Sequence, residues 1–203
     1  GNLLVNPTYP SLDPPARLLM GPGPSDIHPL VLQALGKPTV GHLDPYYLEA
    51  MDGLQQMLRD LFKTTNELTF AISATGSAGM EAAVVNVIEP GDSMLVCVNG
   101  VFGGRMADVA RRAGANVTVI EKPWGDVFQP DDIQSAIQTA NPDVVGIVMA
   151  ETSTGASQSL AEISDVVHAA DALLLVDAVT SLGGMDIQVD AWGIDVVYSG
   201  SQK

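Results

Sequence analysis

Between residues 93 and 177 the apolar residues come in short unbroken runs: Met94-Leu95-Val96-Cys97-Val98, Val144-Val145-Gly146-Ile147-Val148-Met149 and Leu173-Leu174-Leu175-Val176. A strand with one wet face alternates apolar and polar residues; these runs do not, so each reads as a strand covered on both faces. Strands are predicted over 68–73, 93–98, 116–120, 144–149, 172–177 and 195–199, and helices over 76–88, 103–113, 130–139 and 160–170. Pro90-Gly91 ends the first of these helices and Gly114 stops the second. Alternating helices and doubly covered strands specify an α/β fold: a three-layer domain around a mostly parallel sheet. Such a sheet binds ligands beyond the carboxyl ends of its strands.

The first 25 residues obey other rules. Pro7, Pro10, Pro14, Pro15, Pro22 and Pro24, with Gly21 and Gly23, remove backbone donors and break regular structure. Residues 1–25 are expected to form an extended N-terminal arm, and its apolar residues suit a partner surface better than water. Residues 26–203 are assigned to one large domain. Asp44-Pro45 supplies an N-cap and a first-turn proline for a further helix. Leu48, Met51, Leu54, Leu58 and Leu61 then fall at spacings of three and four, giving it one apolar stripe.

Charge narrows the range of partners. The net charge is −15, with 24 acidic residues against nine basic ones. That field repels nucleic acid and anionic membranes, so neither is an expected partner. No apolar run reaches the roughly 18 residues of a membrane span. The single cysteine, Cys97, lies inside a buried run and reads as an unpaired thiol, which fits a reducing compartment and a cytoplasmic location. His28, His42 and His168 are scattered without metal-ligand spacing, so no metal is assigned.

Three strand ends carry chemistry. Thr75-Gly76-Ser77-Ala78-Gly79 precedes a strong helix former, and free N–H groups with two hydroxyls at a helix start suit a phosphate. The stretch is also an ordinary α/β turn. It has neither a complete GxGxxG nor a GK[ST], so dinucleotide and P-loop readings lose ground. Asp177 ends the apolar run 173–176, either as a cap or as an acceptor for a protonated pyridine nitrogen. Lys203 follows Ser199-Gly200-Ser201-Gln202, either as a solvated charge or as an amine that condenses with a carbonyl. Lysine, carboxylate and phosphate cradle at one sheet edge are together the three anchors of pyridoxal 5′-phosphate. Phe102, flanked by Val101 and Gly103, is a core aromatic or a ring to stack on a flat heterocycle. Glu151-Thr152-Ser153-Thr154-Gly155 brings hydroxyls to the same rim.

With those positions in view, the chain resembles the class V aminotransferases of the alanine/serine–glyoxylate type. The resemblance is carried by Gly21-Pro22-Gly23-Pro24-Ser25, Gly91-Asp92, Glu151-Thr152-Ser153-Thr154-Gly155, Val176-Asp177-Ala178-Val179-Thr180-Ser181-Leu182-Gly183-Gly184 and Ser199-Gly200-Ser201-Gln202-Lys203. It extends from Leu18 to Lys203. It implies Lys203 as the Schiff-base lysine and proton shuttle, and Asp177 as the partner of the pyridine nitrogen. It also implies that Phe102 stacks on the ring, Val179 packs on the opposite face and Ser153 bonds the phenolic oxygen. Thr75, Gly76, Ser77 and Gln202 would hold the phosphate. Gly23 and the Gly41-His42 turn are candidates for lining the substrate pocket, the turn being contributed by a partner subunit. Relatives often carry Trp in place of Phe102 and His in place of Ser77, which alters the expected ring and phosphate contacts.

Relatives also continue well beyond the lysine, through a segment that closes the sheet, forms a small C-terminal domain and supplies the arginine for the substrate carboxylate. None of Arg17, Arg59, Arg105, Arg111 or Arg112 occupies a matching motif. The large domain is therefore expected to be incomplete and the small domain absent from this chain. The function implied is transfer of an amino group from alanine or serine to glyoxylate by a homodimer acting on amino acids and 2-oxo acids. Ureidoglycine–glyoxylate transfer lies in the same family. A desulfurase or lyase would carry His in place of both Gln202 and Phe102. A non-catalytic, cofactor-binding half-protein is the alternative of a different class. A peroxisomal address would lie past Lys203 and stays open beside the cytoplasmic expectation.

Overall fold

The computed structural model describes residues 10–203. Five parallel strands, β1 (Ser93–Val98), β2 (Asn116–Glu121), β3 (Val144–Val148), β4 (Leu173–Asp177) and β5 (Val196–Tyr198), form one sheet in the order β2-β1-β3-β4-β5. Among the described residues six helices accompany them: α1 (Pro29–Leu35), α2 (Pro45–Phe62), α3 (Gly76–Val87), α4 (Val101–Ala113), α5 (Pro130–Ala140) and α6 (Ala161–His168).

Period-two alternation divides each strand between two cores. Leu95, Cys97, Val145, Ile147, Leu174 and Val176 face one core, which Ile133 and Ile137 of α5 and Ile163 and Val167 of α6 complete. Met94, Val96, Val144, Val148 and Leu175 face the other, under Met80 and Val84 of α3 and Met106 and Ala110 of α4. Every residue of β3 is buried, as a strand covered on both sides must be. Each fully enclosed Leu or Ile contributes on the order of 2 kcal/mol. Asp177, two residues after Leu175, faces the α3/α4 side by the same alternation.

Local signals act where they were read. Asp44 caps α2, its Oδ1 accepting from the Tyr46 N–H at 2.9 Å. Gly114 closes α4 in the left-handed conformation, φ 99°. Cys97 is a free, buried thiol, and burial pushes its pKa up.

Two expectations need correction. Residues 68–73 form no strand. No β-ladder among the described residues includes them, and Leu68, Phe70 and Ile72 are 80%, 53% and 47% exposed. An apolar run becomes a strand only when a neighbour pairs with its backbone. The predicted start of α4 at residue 103 was also late: the helix begins at Val101, so Phe102 sits in its first turn. Helix α1 was not anticipated; His28 Nδ1 caps it by accepting from the Leu30 N–H at 3.2 Å. Of the expected arm 1–25, residues 1–9 lie outside the described residues, and 10–25 carry neither helix nor strand. No helix among the described residues is long and apolar enough to cross a membrane.

Candidate active site

The carboxyl ends of β1, β3, β4 and β5 and the amino ends of α3 and α4 meet along one sheet edge. Asp177 closes β4 and is 3% exposed. Its Oδ1 accepts from the Val179 N–H at 2.9 Å, and its Oδ2 accepts from the Tyr198 hydroxyl at 2.7 Å. Burial is the main influence on its carboxyl and raises the pKa; those two hydrogen bonds pull it back down, Glu151 raises it and Lys203 lowers it.

Lys203 follows β5 through the turn at 199–202, and its Nζ donates to Thr152 Oγ1 at 3.0 Å. Thr152 in turn shares a short hydroxyl–hydroxyl hydrogen bond with Thr180. Partial burial lowers the pKa of Lys203, against the opposing influence of Asp177 and Glu151. The N-terminal segment lies against this lysine. A Cβ on Gly23, where φ is 127°, would stand 2.8 Å from Lys203 Cδ, and the Ser25 N–H donates to the Gln202 carbonyl at 2.9 Å.

The start of α3 has donors to spare. Thr75 is its N-cap without a side-chain capping bond, and its carbonyl already accepts from Ala78 and Gly79. The N–H groups of Gly76 and Ser77 have no acceptor among the described residues. A Cβ on Gly76 would lie 3.5 Å from Val179 Cγ2 and 3.9 Å from Gln202 Nε2, so those two side chains flank the helix start.

Glu151, fully buried, organises the start of α4 from β3's side of the sheet. Its Oε2 accepts from the N–H groups of Phe102 at 3.1 Å and Gly103 at 3.2 Å. Its Oε1 accepts from the Ser153 N–H at 3.2 Å and the Ser153 hydroxyl at 2.8 Å. The Ser153 hydroxyl also accepts from the Val101 N–H at 3.0 Å, so both of its functions are engaged within the protein. A Cβ on Gly100 would overlap the Glu151 side chain.

The Phe102 ring is partly buried, with the Arg105 guanidinium 4.9 Å from its centroid. Arg105 Nη1 donates to Ser77 Oγ at 3.1 Å. Gly41 and His42 lie in an exposed turn closed by the Asp44 N–H to Gly41 carbonyl bond at 3.0 Å. No hydrogen bond joins that turn to Lys203, Asp177 or the α3 start.

Sequence reading passed over Tyr198, Glu151, Thr180 and Arg105. Tyr198 acts because it is the register partner of Asp177 on the adjacent strand. Glu151 stood in a recognised motif, but its donors on Phe102 and Gly103 lie 49 and 48 positions away in the chain and show no local pattern.

Comparison with known proteins gives the family. The family described as Aminotransferase class-V matches residues 30–203. The chain belongs to the class V aminotransferases. Among relatives of this class V chain, the (S)-ureidoglycine–glyoxylate transaminase of Bacillus subtilis is 42% identical over 189 residues, 93% of this chain and 45% of its own. The alanine–glyoxylate aminotransferase of Felis catus is 43% identical over 204 residues, 99% of this chain and 49% of its own. The crystal structure of alanine–glyoxylate aminotransferase from Nostoc sp. superposes with a TM-score of 0.95 at 50% identity, covering 97% of this chain and 52% of that one. The chain thus spans about half the length of the curated relatives it matches.

Class V aminotransferases are pyridoxal-phosphate enzymes. The residues present fit that cofactor. Two N–H groups without acceptors among the described residues stand at a helix start, a buried carboxylate stands where an N–H⁺ would be welcome, and a lysine with lowered pKa lies close enough to that carboxylate to feel its charge.

Proposed function

We propose that the protein is a pyridoxal-phosphate aminotransferase that moves the amino group of alanine or serine to glyoxylate. The donor leaves as its 2-oxo acid and glyoxylate becomes glycine. The observation that carries this reading is the position of Asp177 at the end of β4 and of Lys203 beyond the end of the adjacent parallel β5, with the α3 start beside the turn between β5 and Lys203. When bound, the cofactor supplies a protonated pyridine ring that accepts the electrons of the donor's Cα–H bond.

The chain's own residues do the rest. Asp177, buried and held by Tyr198 and Val179, keeps the pyridine nitrogen protonated. Gly76 and Ser77 N–H groups, with Thr75, Ser77 and Gln202 side chains, hold the phosphate. Phe102 would cover one ring face and Val179 the other, and Ser153 would bond the phenolic oxygen. Lys203 would hold the cofactor's aldehyde carbon, and its amine would carry the proton that leaves the donor's Cα. Thr152 Oγ1, which accepts from Lys203 Nζ at 3.0 Å, would orient that amine.

Residues 26–203 serve as the cofactor-binding large domain and 1–25 as an arm laid on a second subunit of a homodimer. Leu18, Met20, Leu30 and Leu35, 65–83% exposed, support the pairing. Gly23 and, from the partner, Gly41 and His42 line the substrate pocket. Ureidoglycine is the competing donor, favoured by the Bacillus subtilis relative.

The deciding experiment follows the absorption of the full-length holoenzyme on adding alanine, serine or ureidoglycine, then glyoxylate. A cofactor band that disappears with one donor and returns with glyoxylate names that donor. A band that none of them moves removes glyoxylate transamination; absence of a band with added pyridoxal phosphate removes the whole reading.

A further inference from the structure

The cradle at the α3 start offers a phosphate only neutral groups: hydroxyls of Thr75 and Ser77, backbone N–H groups and the Gln202 amide. Charge around it is unfavourable. The chain carries −15, and the carboxylates of Asp177 and Glu151 are buried along the same edge. A phosphate monoester at neutral pH brings about −1.5 to −2 more. Lys203 cannot serve as a permanent counter-charge, because its amine must lose its proton to attack a carbonyl.

Arg105 is a cation already in place. From α4 it crosses to α3, where Nη1 donates to Ser77 Oγ at 3.1 Å, and its guanidinium lies 4.9 Å from the centroid of Phe102. It makes no salt bridge among the described residues; Asp108, one turn on along α4, pairs instead with Arg112 at 2.9 Å. A hydroxyl has one hydrogen to give and two lone pairs. Accepting from a guanidinium leaves the Ser77 hydrogen free for a second acceptor, and polarises it.

We infer that Arg105 is a specificity residue for the phosphorylated form of the cofactor, balancing the phosphate charge through Ser77 while its stacking on Phe102 ties the phosphate end of the site to the ring end. The inference rests on the pyridoxal-phosphate reading above. It separates two ligands with the same ring and aldehyde: pyridoxal phosphate, which has the charge to balance, and pyridoxal, which does not.

The test uses the full-length protein stripped of cofactor, as wild type, Arg105→Met and Arg105→Lys, with pyridoxal phosphate, pyridoxal and inorganic phosphate as probes. Dissociation constants come from absorption and calorimetric titration. Arg105→Met is expected to weaken pyridoxal phosphate by about 10- to 100-fold, the range for a hydrogen bond to a charged group. Inorganic phosphate weakens with it, pyridoxal holds its affinity, and Arg105→Lys recovers part of the loss. Wild-type affinity for pyridoxal phosphate also falls more steeply with salt than that for pyridoxal.

Equal losses for both aldehydes would show Arg105 acting through Phe102 or the fold, and overturn the inference; so would an unchanged constant for pyridoxal phosphate. If Arg105→Met does not fold, the Lys variant and the wild-type salt dependence decide, equal salt slopes for the two aldehydes being the refuting result. A wild type that binds neither aldehyde overturns the cofactor reading itself. Binding of both by the wild type, unaltered in the variants, overturns only the role of Arg105.

Discussion

Tyr198 donates its phenolic hydrogen to Asp177 Oδ2 at 2.7 Å, across adjacent parallel strands in which the two are register partners. The bond favours the ionised carboxylate and offsets part of the pKa rise that burial imposes. Tyr198→Phe therefore raises the Asp177 pKa further. Affinity for pyridoxal phosphate should fall by about tenfold, the worth of one hydrogen bond to a charged group. The acid limb of its pH dependence should move to higher pH. Titrations across pH check this, and an unmoved limb would deny Tyr198 the role.

Asp177 also sets a stability trend in the cofactor-free protein. Its folded pKa is raised above the ordinary 3.8, chiefly by burial. The folded state therefore binds this proton more tightly than the unfolded chain does. The resulting stability is complete below the unfolded pKa and is lost as pH rises through the folded one. Asp177→Asn escapes that loss. Its melting temperature should exceed that of the wild type at pH 7, the gap closing toward acid pH, while cofactor binding is impaired. Thermal melts of both proteins over the pH range measure the gap.

Glu151 accepts hydrogen bonds from four donor groups on Phe102, Gly103 and Ser153. Glu151→Ala leaves buried donors without partners and should cost about 3 kcal/mol; Glu151→Gln, which keeps an acceptor, should cost less than half of that. Urea denaturation gives the energies. Amide hydrogen exchange at Phe102 and Gly103 locates the damage, and unchanged protection there would refute the assignment.

Gly100 is extended, φ 177°, so any residue suits its backbone. The constraint is contact: a Cβ there would overlap Glu151 and stand 2.6 Å from Ser153 Oγ. Gly100→Ala is expected to destabilise by about 2 kcal/mol through overpacking. In a background of Glu151→Ala the cost should shrink, since the side chain in the way is gone. A strictly additive double mutant would contradict the geometry.

Lys203 should capture pyridoxal phosphate faster as pH rises, with a midpoint below the ordinary 10.5, because burial disfavours its charged form. Glu151 and Asp177 oppose that shift. Glu151→Gln removes one of the two opposing charges and should move the midpoint lower still. Stopped-flow capture rates against pH report it directly.

The sheet was legible because β1, β3 and β4 are continuous apolar runs, a pattern that only a doubly covered strand produces. Residues 68–73 have much the same local character and form no strand, because pairing depends on a neighbour that a local window does not contain. Thr75, Gly76, Ser77, Asp177 and Lys203 could be singled out because each sits at an element boundary, where composition changes abruptly. Tyr198, Glu151 and Arg105 could not. Inside their own segments they look like a strand aromatic, a loop acid and a helix cation.

The sequence by itself determined the buried strands β1, β3 and β4, the caps of α2 and α4, and which reactive side chains stand at the strand ends. Those properties depend on neighbours a few residues apart. The tertiary structure decided strand order, register and the contacts between α3, α4 and the strand ends. It thereby put Tyr198 on Asp177, Glu151 under the start of α4, and Arg105 on Ser77. These contacts join positions 21 to 49 residues apart. Their energies depend on burial and distance, which exist only once the chain has closed on itself.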